Sequence, residues 1–233
     1  MAVSDPLVSV LVPAYNEAGT IVTVLERVAE HVPFRTEVIV VDDGSTDGTA
    51  SLAEGMKDTI VLRQGTNRGK GAAVRAGIAR STGDIVLIQD ADLEYDPVDI
   101  PRLLEPLTRG VADVVYGSRL RGGEPQRAHL FWHYAGNKFL SLLTGVLYNT
   151  TLSDMEVGYK AFRGDLIRSI ELVSDDFAIE PEMTAKILRR NVRVYEVPIS
   201  YYGRTFEEGK KITWRDGFTA IATLVRFRFG PKG

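Results

Sequence analysis

The sequence predicts an α/β fold, doubly wound around a mainly parallel sheet. Three observations carry this: short apolar runs rich in β-branched residues, stretches of helical period between them, and polar clusters where the runs stop. Runs that are apolar at every position suit strands covered on both faces, as the strands of parallel sheets are.

In chain order, Leu7 to Val12 reads as the first strand and Val38 to Val41 as the second. Between them Ile21, Val24, Leu25, Val28 and Val32 recur at helical spacing, which predicts a helix over 21–32. Thr46 to Ala53 and Ala72 to Ala79 read as further helices, and Thr59 to Leu62, Ile85 to Ile88 and Val111 to Tyr116 as further strands. After Gly117 a Gly- and Arg-rich loop leads to a long apolar helix from about Leu130 to Tyr148, followed by mixed elements. No repeat, low-complexity segment or clear linker interrupts the chain, so all 233 residues read as one domain with halves meeting near Gly117.

Composition narrows the function classes. A net charge of −3 argues against general nucleic-acid binding, which leaves a basic footprint. The absence of cysteine excludes disulfides, thiol nucleophiles and cysteine-ligated zinc. Residues 1–6 lack the basic start and apolar stretch of a signal peptide, and the most apolar late segments are about half the ~20 residues of a spanning helix. The expected setting is cytoplasmic. Gly203 to Gly233 holds seven Lys or Arg against three Asp or Glu, a balance of +4 that suits contact with anionic lipid and leaves −7 elsewhere.

In open α/β sheets ligands bind beyond the carboxyl ends of the strands. Here those ends carry Pro13-Ala14-Tyr15-Asn16-Glu17, Asp42-Asp43-Gly44-Ser45 and Asp90-Ala91-Asp92. Two carboxylates one residue apart at a strand end can hold a hard cation such as Mg²⁺ or Mn²⁺ while leaving positions for pyrophosphate oxygens. An Asp-X-Asp triplet alone is also what a solvated acidic turn looks like; the acidic ends at Glu17 and Asp42-Asp43 favour the ligand reading. Arg68-Gly69-Lys70-Gly71 opens a helix, where Lys70 either meets phosphate or is simply solvated. The Walker loop and the Gly-x-Gly-x-x-Gly of dinucleotide enzymes are both missing, which disfavours an ATPase or a dehydrogenase. Arg119 ends a strand on the ligand edge, and its planar guanidinium suits phosphate; Arg204 and Lys210 read either as phosphate contacts or as solvated residues. His31, His129 and His133 have no spacing that suggests a metal or a triad. Phe131 to Tyr148 fits a core helix and an interfacial helix equally, and Trp214 to Phe229 fits membrane contact or packing on a sheet edge.

Taken together, the blocks Val12-Pro13-Ala14-Tyr15-Asn16-Glu17, Val41-Asp42-Asp43-Gly44-Ser45, Asn67-Arg68-Gly69-Lys70-Gly71, Asp90-Ala91-Asp92-Leu93, Gly117-Ser118-Arg119, Asp154-Met155-Glu156-Val157-Gly158-Tyr159-Lys160 and Val197-Pro198-Ile199-Ser200-Tyr201 with Arg204 and Lys210 resemble the family-2 inverting glycosyltransferases of GT-A, Rossmann-like fold. Within that family the chain is similar to dolichyl- and polyprenyl-phosphate hexose synthases. The resemblance implies a donor half, about 1–117, and acceptor-side helices after it. It implies that Pro13, Tyr15, Glu17 and one or both of Asp42 and Asp43 hold the nucleoside, and that Asp90, Asp92 and Glu94 arrange the metal, with Ala91 in the donor block. Glu94 stands where some relatives have glutamine. Arg119, Arg204 and Lys210 are expected near phosphates, with Asp92 and Arg119 central to catalysis. The expected reaction moves a hexose from GDP-mannose or a UDP-hexose to a polyprenyl phosphate, peripherally on the cytoplasmic face of a membrane. Two alternatives stand beside it. One is a hydroxyl acceptor, with Asp154, Glu156, Glu180 or Glu182 as base; the other is a non-catalytic nucleotide-sugar-binding module.

Overall fold

The computed structural model describes residues 5–122, 131–204 and 214–230. Lys210 and His129 lie outside them. Strands β1 (Leu7–Ala14), β2 (Arg35–Asp42), β3 (Thr59–Arg63), β4 (Ile85–Ile88), β5 (Val114–Ser118), β6 (Lys160–Arg163) and β7 (Val194–Pro198) form a single seven-stranded sheet in the order β3-β2-β1-β4-β6-β5-β7. β1 to β4 are mutually parallel, β7 is parallel to β5, and β6 runs antiparallel to both its neighbours. The expected doubly wound, mainly parallel sheet is therefore present, with one reversed strand, β6, in its interior.

Helices α1 (Ile21–His31), α2 (Thr49–Glu54), α3 (Lys70–Arg80) and α4 (Ile100–Thr108) cover the first half. α1 buries Ile21, Val24, Leu25 and Val28, the spacing its sequence shows, and stops as Val32 turns extended before Pro33. The expected start of α2 at Thr46 shifts to Thr49, because Gly48 adopts φ +93 and Asp47 Oδ1 accepts the Thr49 N–H and hydroxyl ahead of it. Likewise β5 begins at Val114 and not at Val111, since the Val111 and Ala112 N–H groups donate to Pro106 O while the chain leaves α4. α4 itself follows a single 3₁₀ turn that starts when Asp96 accepts the Val98 N–H. It buries Ile100, Leu103, Leu104 and Leu107, each worth about 1.5–3 kcal/mol of transfer free energy.

The main core lies on both faces of the sheet. Val8, Val10, Leu11, Val12, Ile39, Val40, Val86, Leu87, Ile88, Val114, Val115 and Phe162 are all fully inaccessible. A smaller cluster joins α5 (Phe131–Tyr148), α7 (Ile179–Leu188) and α8 (Trp214–Phe229) through Leu140, Met155, Ala185, Ala220 and Leu224; α6 (Gly164–Arg168) is a short turn after β6. α5 and α8 each bury one side only. Phe131, Trp132, Phe139, Leu142 and Val146 of α5 and Phe218, Val225 and Phe229 of α8 remain exposed. α8 packs on α5 and α7, joined by the Tyr148 hydroxyl donating to Leu224 O at 2.7 Å and Arg189 reaching Phe227 O. Among the described residues no helix is long and apolar enough to cross a membrane.

Candidate active site

Parallel strands end together, so the polar residues after β1, β2 and β4 meet on one edge. After β1, Pro13 and Tyr15 are partly buried, and the chain turns at Asn16, whose φ of +54 an Asn tolerates through its short polar side chain. The Asn16 N–H donates to Ser45 Oγ, Asn16 Oδ1 accepts the Thr46 N–H, and Glu17 N–H donates to Thr49 Oγ1, each at 2.9 Å. The β1 turn is thereby stitched to the β2 turn. Glu17 is 8% exposed. Asp42 receives the Ser45 N–H on Oδ2, while its Oδ1 is buried with no partner. Asp43 accepts the Arg68 and Gly69 N–H groups, one on each oxygen and both at 2.8 Å, and so fixes the entrance to α3. Gly44 makes that approach possible: a Cβ there would stand 2.7 Å from Asn67 N.

The β4 end is held differently, by side-chain cations. Lys70, the first residue of α3, lies 2.8 and 3.0 Å from the two Asp90 oxygens and 3.2 Å from Glu180 Oε1. Arg204 lies 2.6 Å from Asp92 Oδ2 and 3.2 Å from Glu17. Ala91 is buried and its carbonyl accepts from Thr20 Oγ1 at 2.7 Å. Leu93 takes φ +61, an uncommon value for a branched residue that sets the turn between Asp92 and Glu94. Glu94 faces Tyr201, whose hydroxyl donates to it at 2.9 Å, and accepts the Arg204 N–H at 2.6 Å.

Charge is strained here. Burial raises the Asp90 carboxyl above its ordinary range against the pull of Lys70, with smaller upward pushes from the charges of Asp92 and Glu180. Burial, with Glu94, likewise raises Asp92 against the pull of Arg204. For Lys70 burial works downward, but Asp90 and Glu180 outweigh it and hold the ammonium above its ordinary value. Among the described residues no three His, Asp or Glu side chains gather into a metal-ligating group, so Asp90, Asp92 and Glu94 do not form a three-carboxylate set. Asp90 and Asp92 present hard oxygen donors, partly buried, whose mutual repulsion a divalent cation would relieve.

The second half closes the rim. Arg119 makes a bidentate pair with Asp154, both bonds at 2.7 Å, and lies 5.1 Å from the centre of the Tyr201 ring. Its guanidinium is thus already engaged. Asn137 of α5 donates to Asp154 Oδ1 at 2.8 Å, and Arg119 leads these partners in holding that carboxyl low against burial. Glu196 of β7 fixes the same loop by accepting from Ser153 N and Oγ, Asp154 N and Arg121. Of the four carboxylates weighed as bases, Asp154 is paired with Arg119, Glu180 with Lys160 and Lys70, and Glu182 with Lys186 and the Val173 and Ser174 N–H groups. Glu156 differs. Its Oε1 is buried without a partner, and burial raises its pKa to about 7.

The structure thus gathers Glu17, Asp90, Asp92, Glu94, Lys70 and Arg204 around one edge, with Asp42 and Asp43 beside them and Arg119 across the rim. Sequence reasoning missed Lys160, Glu196 and the close approach of Gly158. A lysine at the start of an apolar strand, Lys160-Ala161-Phe162, was the available signal.

Comparison with known proteins agrees with this architecture. The family described as "Glycosyl transferase family 2" matches residues 9–170. The chain is 35% identical over 97% of its length to glycosyltransferase AglJ of Haloferax volcanii, covering 76% of that protein. It is 33% identical over 86% of its length to the undecaprenyl-phosphate mannosyltransferase of Micrococcus luteus, covering 85% of that one. The crystal structure of glucosyl-3-phosphoglycerate synthase from Mycobacterium tuberculosis with Mn²⁺, UDP and phosphoglyceric acid superposes with a TM-score of 0.77 at 23% identity, covering 97% of this chain and 80% of that one. This likeness shows the shared GT-A fold. With its sheet, its strand-end carboxylates and this match over most of its length, the chain belongs to glycosyl transferase family 2 and is a glycosyltransferase.

Proposed function

We propose that the chain transfers a hexose, with inversion, from GDP-mannose or a UDP-hexose to a polyprenyl phosphate, using Mg²⁺ or Mn²⁺. The observation that carries the donor side is the partly buried Asp90 and Asp92 pair, whose oxygens are met by the tips of Lys70 and Arg204. Side-chain cations can exchange for a bound one. Asp90 and Asp92 would hold the metal, which supplies positive charge where the departing nucleoside diphosphate gathers negative charge. Glu94 supports this site by orienting Arg204 and Tyr201.

Pro13, Tyr15, Glu17, Asp42 and Asp43 take the nucleoside in this reading, and the partnerless Asp42 Oδ1 suits a ribose hydroxyl or base N–H. In the same reading Lys70, Arg204, Arg119 and the Ala91 segment contact the phosphates, and Lys210, outside the described residues, is assigned to them from the sequence. The M. luteus relative, named for an undecaprenyl-phosphate acceptor, supports the lipid phosphate. A phosphate monoester is already anionic near neutral pH, so attack on C1 requires positioning and no strong base. The interleaving of β6 between β4 and β5 supports a single domain with donor and acceptor halves. The exposed apolar faces of α5 and α8, flanked by Arg226 and Arg228, support peripheral contact with the cytoplasmic face of a membrane.

A hydroxyl acceptor is the second reading, favoured by Glu156, whose pKa of about 7 is that of a general base. Transfer of radiolabel from each donor into organic-extractable polyprenyl phosphate, with Mn²⁺ and with chelator, tests the first. Chelator-sensitive label in the lipid phase supports it. Label reaching only hydroxyl acceptors, and lost in Glu156→Gln, moves the assignment to the second.

A further inference from the structure

Lys160 stands on the interior strand β6 with no solvent exposure, in register with Ile88 and Tyr116 and 4.9 Å from the Tyr116 ring centre. Its ammonium donates to Val157 O and to one oxygen of Glu180. The other Glu180 oxygen faces Lys70 at 3.2 Å, and Lys70 reaches both oxygens of Asp90. Four side chains, from Lys160 to Asp90, therefore alternate in sign from the interior to the ligand edge. The backbone closes over their outer end: a Cβ on Gly158 would stand 2.5 Å from Asp90 Oδ2 and 2.8 Å from Lys70 Nζ.

Stability does not account for the inner pair. Two buried charges lose hydration that their attraction only partly returns, and apolar replacements are often neutral or stabilising. Their arrangement does account for something else. If Asp90 turns to a divalent cation, Lys70 loses one of its two carboxylates and is repelled by the newcomer. A lysine on a flexible four-carbon stem with no second anchor would then swing to solvent.

Building on the donor-site reading above, we infer that Glu180, seated on Lys160, is a positioning residue that retains the Lys70 ammonium beside the donor diphosphate. Glu180 acts only through Lys70. Lys160 neutralises the Glu180 oxygen that Lys70 does not use and fixes the carboxylate in place.

Four proteins test this: wild type, Lys70→Met, the paired Lys160→Met/Glu180→Met, and the triple variant. The paired change keeps the interior neutral. Calorimetric titration with UDP and with GDP, each with Mn²⁺, gives the Kd, and thermal unfolding shows that each protein is folded. Loss of one charge-assisted contact predicts about tenfold weaker nucleotide binding in Lys70→Met. The paired variant is expected to lose as much, and the triple variant no more than Lys70→Met alone. Wild-type affinity in Lys70→Met or in the paired variant, or losses that multiply in the triple variant, would overturn the inference. If the paired variant does not fold, Glu180→Gln is read against Lys70→Met by the same criterion. A wild-type chain that binds neither nucleotide removes the donor-site reading and this inference with it, an outcome distinct from multiplying losses.

Discussion

Asp43 and Asp92 follow β2 and β4, the strands on either side of β1, and lie on the same edge, yet they are held by different sets of donors. Asp43 receives two backbone N–H groups, Arg68 and Gly69, whose positions are fixed by the start of α3. Asp92 receives the Glu94 N–H on one oxygen and the tip of Arg204 on the other, and its neighbour Asp90 receives the tip of Lys70. Backbone donors cannot leave without unfolding the turn, whereas a guanidinium or an ammonium can rotate away. The first carboxylate is fixed by the fold, whereas the second pair is held in part by side chains that can rotate away.

Four experiments break or sharpen that contrast. Asp92→Ala is expected to cost about 10²–10³-fold in kcat for sugar transfer, the size of losing one preorganised electrostatic contact, while thermal unfolding changes little. Full activity in this variant would remove Asp92 from the reaction. Gly158→Ala drives a methyl group into the space shared by Asp90 and Lys70. About tenfold weaker nucleotide binding is expected, from one displaced charge-assisted contact. Unaltered affinity would show that the pair can shift at no cost. Asp43→Ala strands two backbone N–H groups and should lower the unfolding free energy by about 2 kcal/mol in denaturant titration.

The fourth experiment concerns Glu156. Its folded-state pKa is raised from 4.5 to about 7, so between these values the folded chain keeps a proton that the unfolded chain has released. Stability from this group therefore falls as pH rises from about 4.5 to 7 and is level above 7. Glu156→Gln is expected to flatten that part of the slope in unfolding midpoints measured from pH 5 to 8. A slope identical to wild type would show that the carboxyl titrates normally.

The same contrast explains what the sequence discloses. β1, β2 and β4 are legible because each holds successive apolar residues buried on both faces, and the edge strand β3 because Ile60, Val61 and Leu62 run together although only partly buried. β6 is not, because Lys160 and Arg163 bracket only two apolar residues, and Lys160 becomes tolerable in the interior only through Glu180 on α7. α4 shows its apolar spacing at Ile100, Leu103, Leu104 and Leu107, but Pro101 and Pro106 obscure it. Within the site, the strand-end acids are readable from their position after apolar runs. Their cations are not: Arg204 meets Glu17 across 187 positions of chain, and no local pattern records such a pairing. Arg119 is correctly placed on the ligand edge by its strand, while its pairing with Asp154 depends on a loop that Glu196 orients from β7.

The reversed strand also bears on how the protein is made. A ribosome that has delivered the chain through Ser118 has supplied β1 to β5, but β6, which separates β4 from β5, is not yet synthesised. Until Lys160 to Arg163 emerge, β4 presents an unpaired edge, the kind of surface on which nascent chains associate wrongly. The emerging first half therefore depends for protection on about forty-five further residues, roughly two to nine seconds of synthesis at 5–20 residues per second.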